Sequence, residues 1–205
     1  FNEANDSHYY LVPGVIVTIM TMIGALLTSL VMAREYERGT LESLFVTPVG
    51  SGEILTAKAA TNFLLGMVSL AISMIFAAFV FDIPIRGSLT LLLAVSALFL
   101  IVALGLGLVI STATKNQFLA CQFAIMGTFM PALMLSGFLY DILNMPPAVR
   151  ALTYMIPARY YVTLLQTLFL AGDIPSVIIP CCITLGVFAV VLMGIARLKA
   201  PKSLE

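Results

Sequence analysis

The feature that most constrains this chain is a series of five long stretches that contain no Asp, Glu, Lys or Arg. They cover residues 11–33, 59–81, 88–114, 116–140 and 174–196. Each stretch is at least about 33 Å long as an α-helix, and about 20 apolar residues are enough to cross the hydrocarbon core of a bilayer. The pattern therefore predicts an all-α fold, a polytopic transmembrane helical bundle with five spans.

The composition agrees with a chain whose solvent is the lipid bilayer. Of the 205 residues, 61% are hydrophobic and 10% are charged, whereas soluble domains have about 25% charged residues. A water-soluble chain of this size needs a larger polar surface than these residues supply. The formal net charge is zero, so no basic surface for a nucleic acid is predicted.

The distribution of basic residues predicts the orientation of the bundle. Cytoplasmic loops of membrane proteins carry an excess of Lys and Arg. With the amino end outside, seven of the ten basic residues become cytoplasmic: Arg34, Arg38, Lys58, Lys115, Arg197, Lys199 and Lys202. The remaining three, Arg86, Arg150 and Arg159, fall outside. We therefore predict a multi-pass inner-membrane protein with a cytoplasmic carboxyl terminus.

The first residues do not have the pattern of a signal peptide. The chain begins at Phe1 and lacks a basic segment followed by an apolar run and a cleavage site, the three parts that define such a peptide. Five spans that start outside also leave an odd count. We therefore expect the sequence to begin within a longer protein.

Two polar segments between the spans are long. Residues 34–58 are predicted to form a cytoplasmic loop, and residues 141–173 an external interfacial segment. The apolar run at 160–170 is too short to cross comfortably, so it either lies in the outer interface or dips into the bilayer and returns. Tyr154, Tyr160 and Tyr161 are expected at headgroup depth, where aromatic rings with a polar edge are favoured.

The spans contain no ionisable residue other than Cys and Tyr. Transporters driven by protons or sodium usually place such groups at mid-membrane, where they carry the coupling ion. The sequence also has no G-x-x-x-x-G-K-[ST] phosphate loop and no G-x-S-x-G or H-E-x-x-H motif, the signatures of ATP binding and of hydrolases. We predict that the chain is not an enzyme, that it binds no metal or cofactor, and that any energy for transport comes from a partner.

The cytoplasmic loop has the periodicity of a short helix. Leu41, Leu44 and Phe45 fall on one stripe, at i, i+3 and i+4, which is the spacing of one helical face. Glu35, Arg38 and Glu42 share another face, and Pro48 and Gly50 would end the helix. This pattern fits either a solvated hairpin or a rigid strut that presents charge and an apolar knob to a partner.

The same loop carries a family resemblance. Residues 33–48 read A-R-E-x-E-x-G-T-L-E-x-L-x-x-T-P, which resembles the first cytoplasmic loop of ABC-2-type transporter permeases. Residues 10–14 and 156–172 resemble, less specifically, the entry to that family's second span and the segment before its last span. The resemblance extends over essentially the whole chain. It implies that residues 1–205 are a transmembrane permease domain, preceded in the family by one span and an extracytoplasmic domain.

The resemblance also implies a partner and a coupling site. The partner would be an ATP-binding cassette subunit that uses ATP and Mg²⁺, while the permease binds neither. The segment from Gly39 to Val46 would be the coupling helix, seated in a groove of that subunit. The residues implied in coupling are Glu35, Glu37, Arg38, Gly39, Thr40, Leu41, Glu42, Leu44 and Phe45.

A substrate route is predicted between the spans of two permease copies, which form a homodimer or a heterodimer. Its deformable apolar wall would come from Met and Phe side chains of the fourth span. Its polar contacts would come from amide side chains. The candidate residues are Asn62, Gln122, Phe123, Met126, Phe129 and Met130, and ordinary helix packing is the alternative explanation for them.

The function predicted from these observations is outward movement of a hydrophobic or amphipathic substrate by an ATP-driven exporter. The alternative is a passive channel or a membrane scaffold without ATP coupling, since the lack of charge in the spans fits those equally well.

Overall fold

The computed structural model describes residues 3–39, 51–79, 86–140 and 142–199, and within these ranges the chain forms helices without any β-strand. In chain order the helices are α1 (Glu3–Thr21, a π-helical segment Met22–Leu27, and Thr28–Arg38), α2 (Ser51–Phe79), α3 (Leu89–Thr114), α4 (Gln117–Ala124, a π-helical segment Ile125–Phe129, and Met130–Leu135), α5 (Pro147–Thr153), α6 (Pro157–Gln166 and a π-helical segment Thr167–Ala171) and α7 (Pro175–Lys199). A short 3-10 helix, Ile142–Asn144, precedes α5.

Five of these helices, α1, α2, α3, α4 and α7, are long and apolar enough to cross a membrane. The predicted all-α bundle with five spanning helices is therefore confirmed. In lipid, only helices or closed barrels satisfy every backbone polar group, and continuous apolar runs of this length select the helix.

The helix boundaries differ from the predicted ones at α1 and α4. α1 continues through Arg38 and ends where Gly39 adopts a left-handed conformation with φ of 67°. α4 ends at Leu135, five residues before the predicted boundary. The prediction used the first charged residue as a boundary. Good helix formers such as Arg and Glu extend α1 past that point, whereas α4 ends shortly before Gly137, which has a positive φ of 89°.

Each end of the bundle takes its name from a glycine that lies there. The Gly39 end is where α1 and α3 end and α4 begins. The Gly172 end is where α3 and α7 begin and α6 ends. Lys115, in a left-handed conformation with φ of 49°, ends α3, and the Asn116 side chain then accepts a hydrogen bond from the Leu119 N–H at 3.1 Å. This cap allows α4 to start immediately, so the connection is very short.

α3 lies at the centre of the bundle, and half of its 26 residues are buried. It packs closely on α1 because small residues face each other there: a Cβ on Gly107 would lie 2.6 Å from the Ala25 carbonyl oxygen. A Cβ on Gly105 would lie 3.0 Å from Cβ of Leu192 in α7. α3 therefore approaches α1 and α7 closely at these two glycines, as small residues allow at other membrane helix interfaces.

α6 is packed inside the bundle although it is too short to span. Tyr161, Leu164, Leu165, Leu168 and Phe169 are fully buried, and the helix contacts α1, α3 and α7. At its far end, the Gly87 N–H donates to the Leu168 carbonyl at 2.8 Å, and the Ser88 N–H donates to an Asp173 carboxylate oxygen at 3.0 Å. α6 therefore runs beside α3 toward the Gly172 end.

Candidate functional site

The coupling residues that the structure describes belong to the last turn of α1. Glu35, Glu37 and Arg38 lie in that turn, and Gly39 ends it. The predicted loop helix, with Glu35 and Arg38 on one face beside Glu42, needs correction here. The left-handed conformation of Gly39 interrupts the helical hydrogen bonds, so Glu35 and Arg38 belong to the first spanning helix. Thr40, Leu41, Glu42, Leu44 and Phe45 lie outside the described residues.

Two carboxylates in this turn have partners inside the chain. Glu35 forms an ion pair with Lys58 of α2, so it joins the two helices on either side of residues 40–50. Glu37 accepts a hydrogen bond from the backbone N–H of Gln117, the first residue of α4, at 2.9 Å. The positive end of the α4 dipole favours a carboxylate at this point. The turn before Gly39 is therefore connected to both α2 and α4.

Deeper in the bundle, buried side chains of α1 are again hydrogen-bonded to α2 and α4. Ser29 donates to the Ala120 carbonyl of α4 at 3.2 Å, and Asn62 of α2 donates to the Thr28 hydroxyl at 3.0 Å. Asn62 is only 6% exposed. Its amide therefore joins α1 to α2 in the described conformation, and the structure does not bring it together with the other candidates for a substrate route.

The remaining route candidates lie along α4. Gln122, Phe123, Met126 and Met130 are exposed and Phe129 is half-buried. Phe123 and Met126 are 57% and 65% exposed. They form an apolar surface with one amide, which is available to a second chain, a substrate or lipid.

A cavity of about 90 Å³ lies behind this surface. Its walls come from α1, α3, α4 and the start of α6, and they include Thr21, Phe99, Thr128 and Pro157. The π-helical segments of α1 and α4 contact each other in the same region. In α4 the π-helical segment ends at Phe129, two residues before Pro131, and such widening relieves the clash between a proline and the preceding turn.

Sequence reasoning missed the role of Tyr161. Its side chain is fully buried, its ring stacks on Phe99 with centroids 4.1 Å apart, and its hydroxyl donates to Ser96 Oγ at 2.8 Å. The protein therefore encloses the Tyr161 ring, which packs between α6 and α3 and is not an exposed interfacial ring. Tyr154, by contrast, is 52% exposed. The same depth was predicted for the two tyrosines, because both occur in the segment 141–173 between the fourth and fifth spans.

The fold and this arrangement define a class of protein: a multi-pass α-helical membrane protein in which the last turn of the first spanning helix is bonded to two other spanning helices. A sequence model described as "ABC-2 type transporter" matches residues 1–170. The chain belongs to this family.

The names of similar proteins agree with this family assignment. Over its full length the chain is 47% identical to "Probable multidrug ABC transporter permease YbhS" of Escherichia coli (strain K12), covering 54% of that protein. It is 31% identical over 173 residues to "Probable multidrug ABC transporter permease YbhR" of the same organism, which is 83% of this chain and 46% of the relative. It is also 25% identical over 163 residues to "ABC transporter G family member 20" of Dictyostelium discoideum, 80% of this chain and 22% of that protein. The chain thus spans about half the length of the bacterial relatives it matches.

Proposed function

We propose that this chain is the membrane-spanning permease part of an ATP-driven exporter that moves hydrophobic or amphipathic molecules outward. The observation that carries the proposal is the 47% identity, over all 205 residues, to a relative named as a multidrug ABC transporter permease. ATP hydrolysis takes place on a separate ATP-binding cassette subunit, and the permease acts as a dimer.

The last turn of α1 supports this assignment mechanically. A subunit that displaces residues 40–50 moves the turn that ends at Gly39, and this turn is bonded to α2 through Glu35 and to α4 through Glu37. The movement then reaches the exposed surface of α4, where the substrate route is proposed. ATP binding thus changes the relative stability of two arrangements of the helices, which is how a ligand drives a conformational change.

The proposed orientation places the Gly39 end in the cytoplasm. In the described residues, Arg34, Arg38, Lys58, Lys115 and Arg197 lie at that end, as the positive-inside rule requires. In a variant whose native cysteines are replaced, a cysteine at Thr40 is expected to react with a membrane-permeant maleimide and to resist an impermeant one in intact cells. Labelling by the impermeant reagent would place this end outside and contradict the proposal.

Glu42→Lys and Gly39→Pro are expected to reduce both transport and the stimulation of the ATP-binding subunit by about tenfold or more, the factor that corresponds to about 1.4 kcal/mol of lost interaction. Glu42→Lys reverses a charge in the proposed coupling helix. Proline cannot adopt the φ of 67° found at Gly39, because its ring holds φ near −65°. The measurement is ATPase activity and probe efflux in proteoliposomes that contain the complete protein and its ATP-binding subunit.

Gly39→Asn is the matched control, because asparagine tolerates the left-handed conformation better than other side chains. It should keep most of the coupling, and all three variants should insert and purify normally. If the wild-type protein neither binds nor stimulates an ATP-binding subunit, the protein is a channel or scaffold instead.

A further inference from the structure

Arg159 lies level with the middle of the bundle although it belongs to no spanning helix. The neighbouring Pro157 and Ala158 line a cavity with Phe99, Ala103 and Leu106, which are residues 11, 15 and 18 of the 26 in α3, counted from Leu89. On its other side, the Tyr160 ring lies 6.3 Å from the ring of Phe188, residue 14 of the 25 in α7, counted from Pro175. The position is therefore far from both ends of the bundle.

The surroundings of Arg159 hold its side chain in place without neutralising it. Its guanidinium carbon lies 4.0 Å from the centroid of the Tyr154 ring, and Nη1 donates to the Thr153 hydroxyl. The Tyr154 carbonyl in turn accepts a hydrogen bond from the Tyr160 hydroxyl at 3.0 Å. A guanidinium has five N–H donors and keeps its charge at every physiological pH. The carboxylates whose side chains the structure describes, Glu35, Glu37 and Asp173, form no ion pair with it.

The carboxylates with described side chains lie away from the level of Arg159. The described carboxylates of known side-chain position are Glu35 and Glu37 at the Gly39 end and Asp173 at the Gly172 end. A charged residue at mid-membrane is costly and usually marks a substrate or ion pathway. A guanidinium is a permanent cation with several N–H donors, which suits it to binding an anion.

The segment that carries Arg159 borders the proposed substrate route. Arg159 is half-buried, while Tyr154 and Met155 beside it are 52% and 73% exposed. Met155 and Pro157 share the 90 Å³ cavity with Gly127 and Thr128 of α4, the helix that carries the exposed Met126 and Met130. An apolar wall therefore lies beside the segment that carries the cationic group.

We propose that Arg159 binds the anionic group, a carboxylate or a phosphate, of an amphipathic molecule whose apolar part lies against α4. The substrate class of the transporter is then anionic amphiphiles, and this inference rests on the proposed function. The planar guanidinium fork matches carboxylate and phosphate oxygens geometrically. The guanidinium is positioned by Tyr154, Thr153 and Tyr160.

The test measures binding without the ATP-binding subunit and transport with it. The probes are a fluorescent long-chain carboxylate and its methyl ester, titrated onto the complete protein in neutral detergent. Arg159→Gln is expected to raise the Kd of the carboxylate by about tenfold or more, since a charge-assisted hydrogen bond is lost, and to leave the Kd of the ester unchanged. Arg159→Lys should retain part of the preference for the carboxylate. Arg150→Gln, which removes an exposed charge in α5, is the control and should behave as wild type.

Three results would overturn the inference. Equal weakening of carboxylate and ester binding would mean that Arg159 only maintains the fold, and equal affinities in wild type and Arg159→Gln would remove it from the site. If Arg159 affects only the binding of labelled phosphatidylglycerol in nanodiscs, the ligand is a lipid headgroup and not a substrate. The proposed function is tested separately by ATP-driven efflux of the carboxylate: failure of efflux with Arg159-dependent binding intact refutes the exporter and leaves the anion site standing.

Discussion

Replacing Tyr161 by alanine is expected to lower the free energy of unfolding by about 3–5 kcal/mol, as for other large aromatic residues removed from a packed core. The side chain is fully buried, stacks on Phe99 and donates to Ser96, whose own hydroxyl donates to the Leu92 carbonyl at 2.8 Å. Its removal leaves a cavity between α6 and α3. The measurement is the midpoint of unfolding of the purified protein in mixed micelles as the fraction of sodium dodecyl sulfate is increased.

The graded variant Tyr161→Phe separates the ring from the hydroxyl. It should cost only about 0.6 kcal/mol, the mean value for hydrogen bonds between membrane helices. Tyr140→Ala is the matched control, because Tyr140 is 60% exposed, and it should leave the midpoint nearly unchanged. A similar loss for Tyr140→Ala and Tyr161→Ala would show that α6 is not packed against α3 as described.

Replacing Gly24 by alanine is expected to destabilise the bundle by about 1–3 kcal/mol, the usual cost of adding a methyl group to a filled interior. The new Cβ would lie 2.4 Å from the Cβ of Ala103, and no other atom would be closer than 3.5 Å. Two methyl carbons cannot lie this close together, so α1 and α3 would have to separate. The same unfolding midpoint in mixed micelles reports the loss.

Because the conflict involves one methyl group, a second substitution should relieve it. The double variant Gly24→Ala, Ala103→Gly is expected to recover most of the lost stability, since total volume at the contact is conserved. Gly107→Ala should have no such rescue, because its Cβ would meet the backbone oxygen of Ala25 at 2.6 Å. Gly186→Ala, at a position with no atom within 4 Å, is the control. A destabilised double variant would contradict the described contact.

The spanning helices were predictable because their signal is local. A stretch without charged residues forms a helix in lipid whatever surrounds it, so the bundle could be predicted from the five apolar stretches. The candidate site was predictable only in part. The position of Glu35 and Glu37 near Gly39 follows from the sequence, but their bonds to Lys58 and Gln117 join residues that are 23 and 80 positions away.

Hydropathy does not predict which apolar side chains are buried in the bundle, because lipid and the protein interior are equally apolar. Phe123 and Tyr161 both belong to apolar segments, yet one is 57% exposed and the other is fully buried. The hydrophobic effect, which sorts residues in soluble proteins, gives no preference between these two environments in a membrane. The sequence therefore provided no basis for deciding which residues line a substrate route and which pack inside the bundle. It also did not predict the contact between Asn62 and Thr28.

The sequence alone determined that this chain is an α-helical membrane protein with five spans, and it indicated the family through the motif before Pro48. Only the tertiary structure decided that α6 packs beside α3 and that Arg159 lies level with the middle of the bundle. The physical reason is that charge and hydropathy report how each segment interacts with its solvent, whereas depth within the bundle depends on how short helices such as α6 pack against others. A charged residue in a short non-spanning helix is therefore predicted to be external from sequence alone. Its depth in the bundle is known only when its contacts in the folded structure are known.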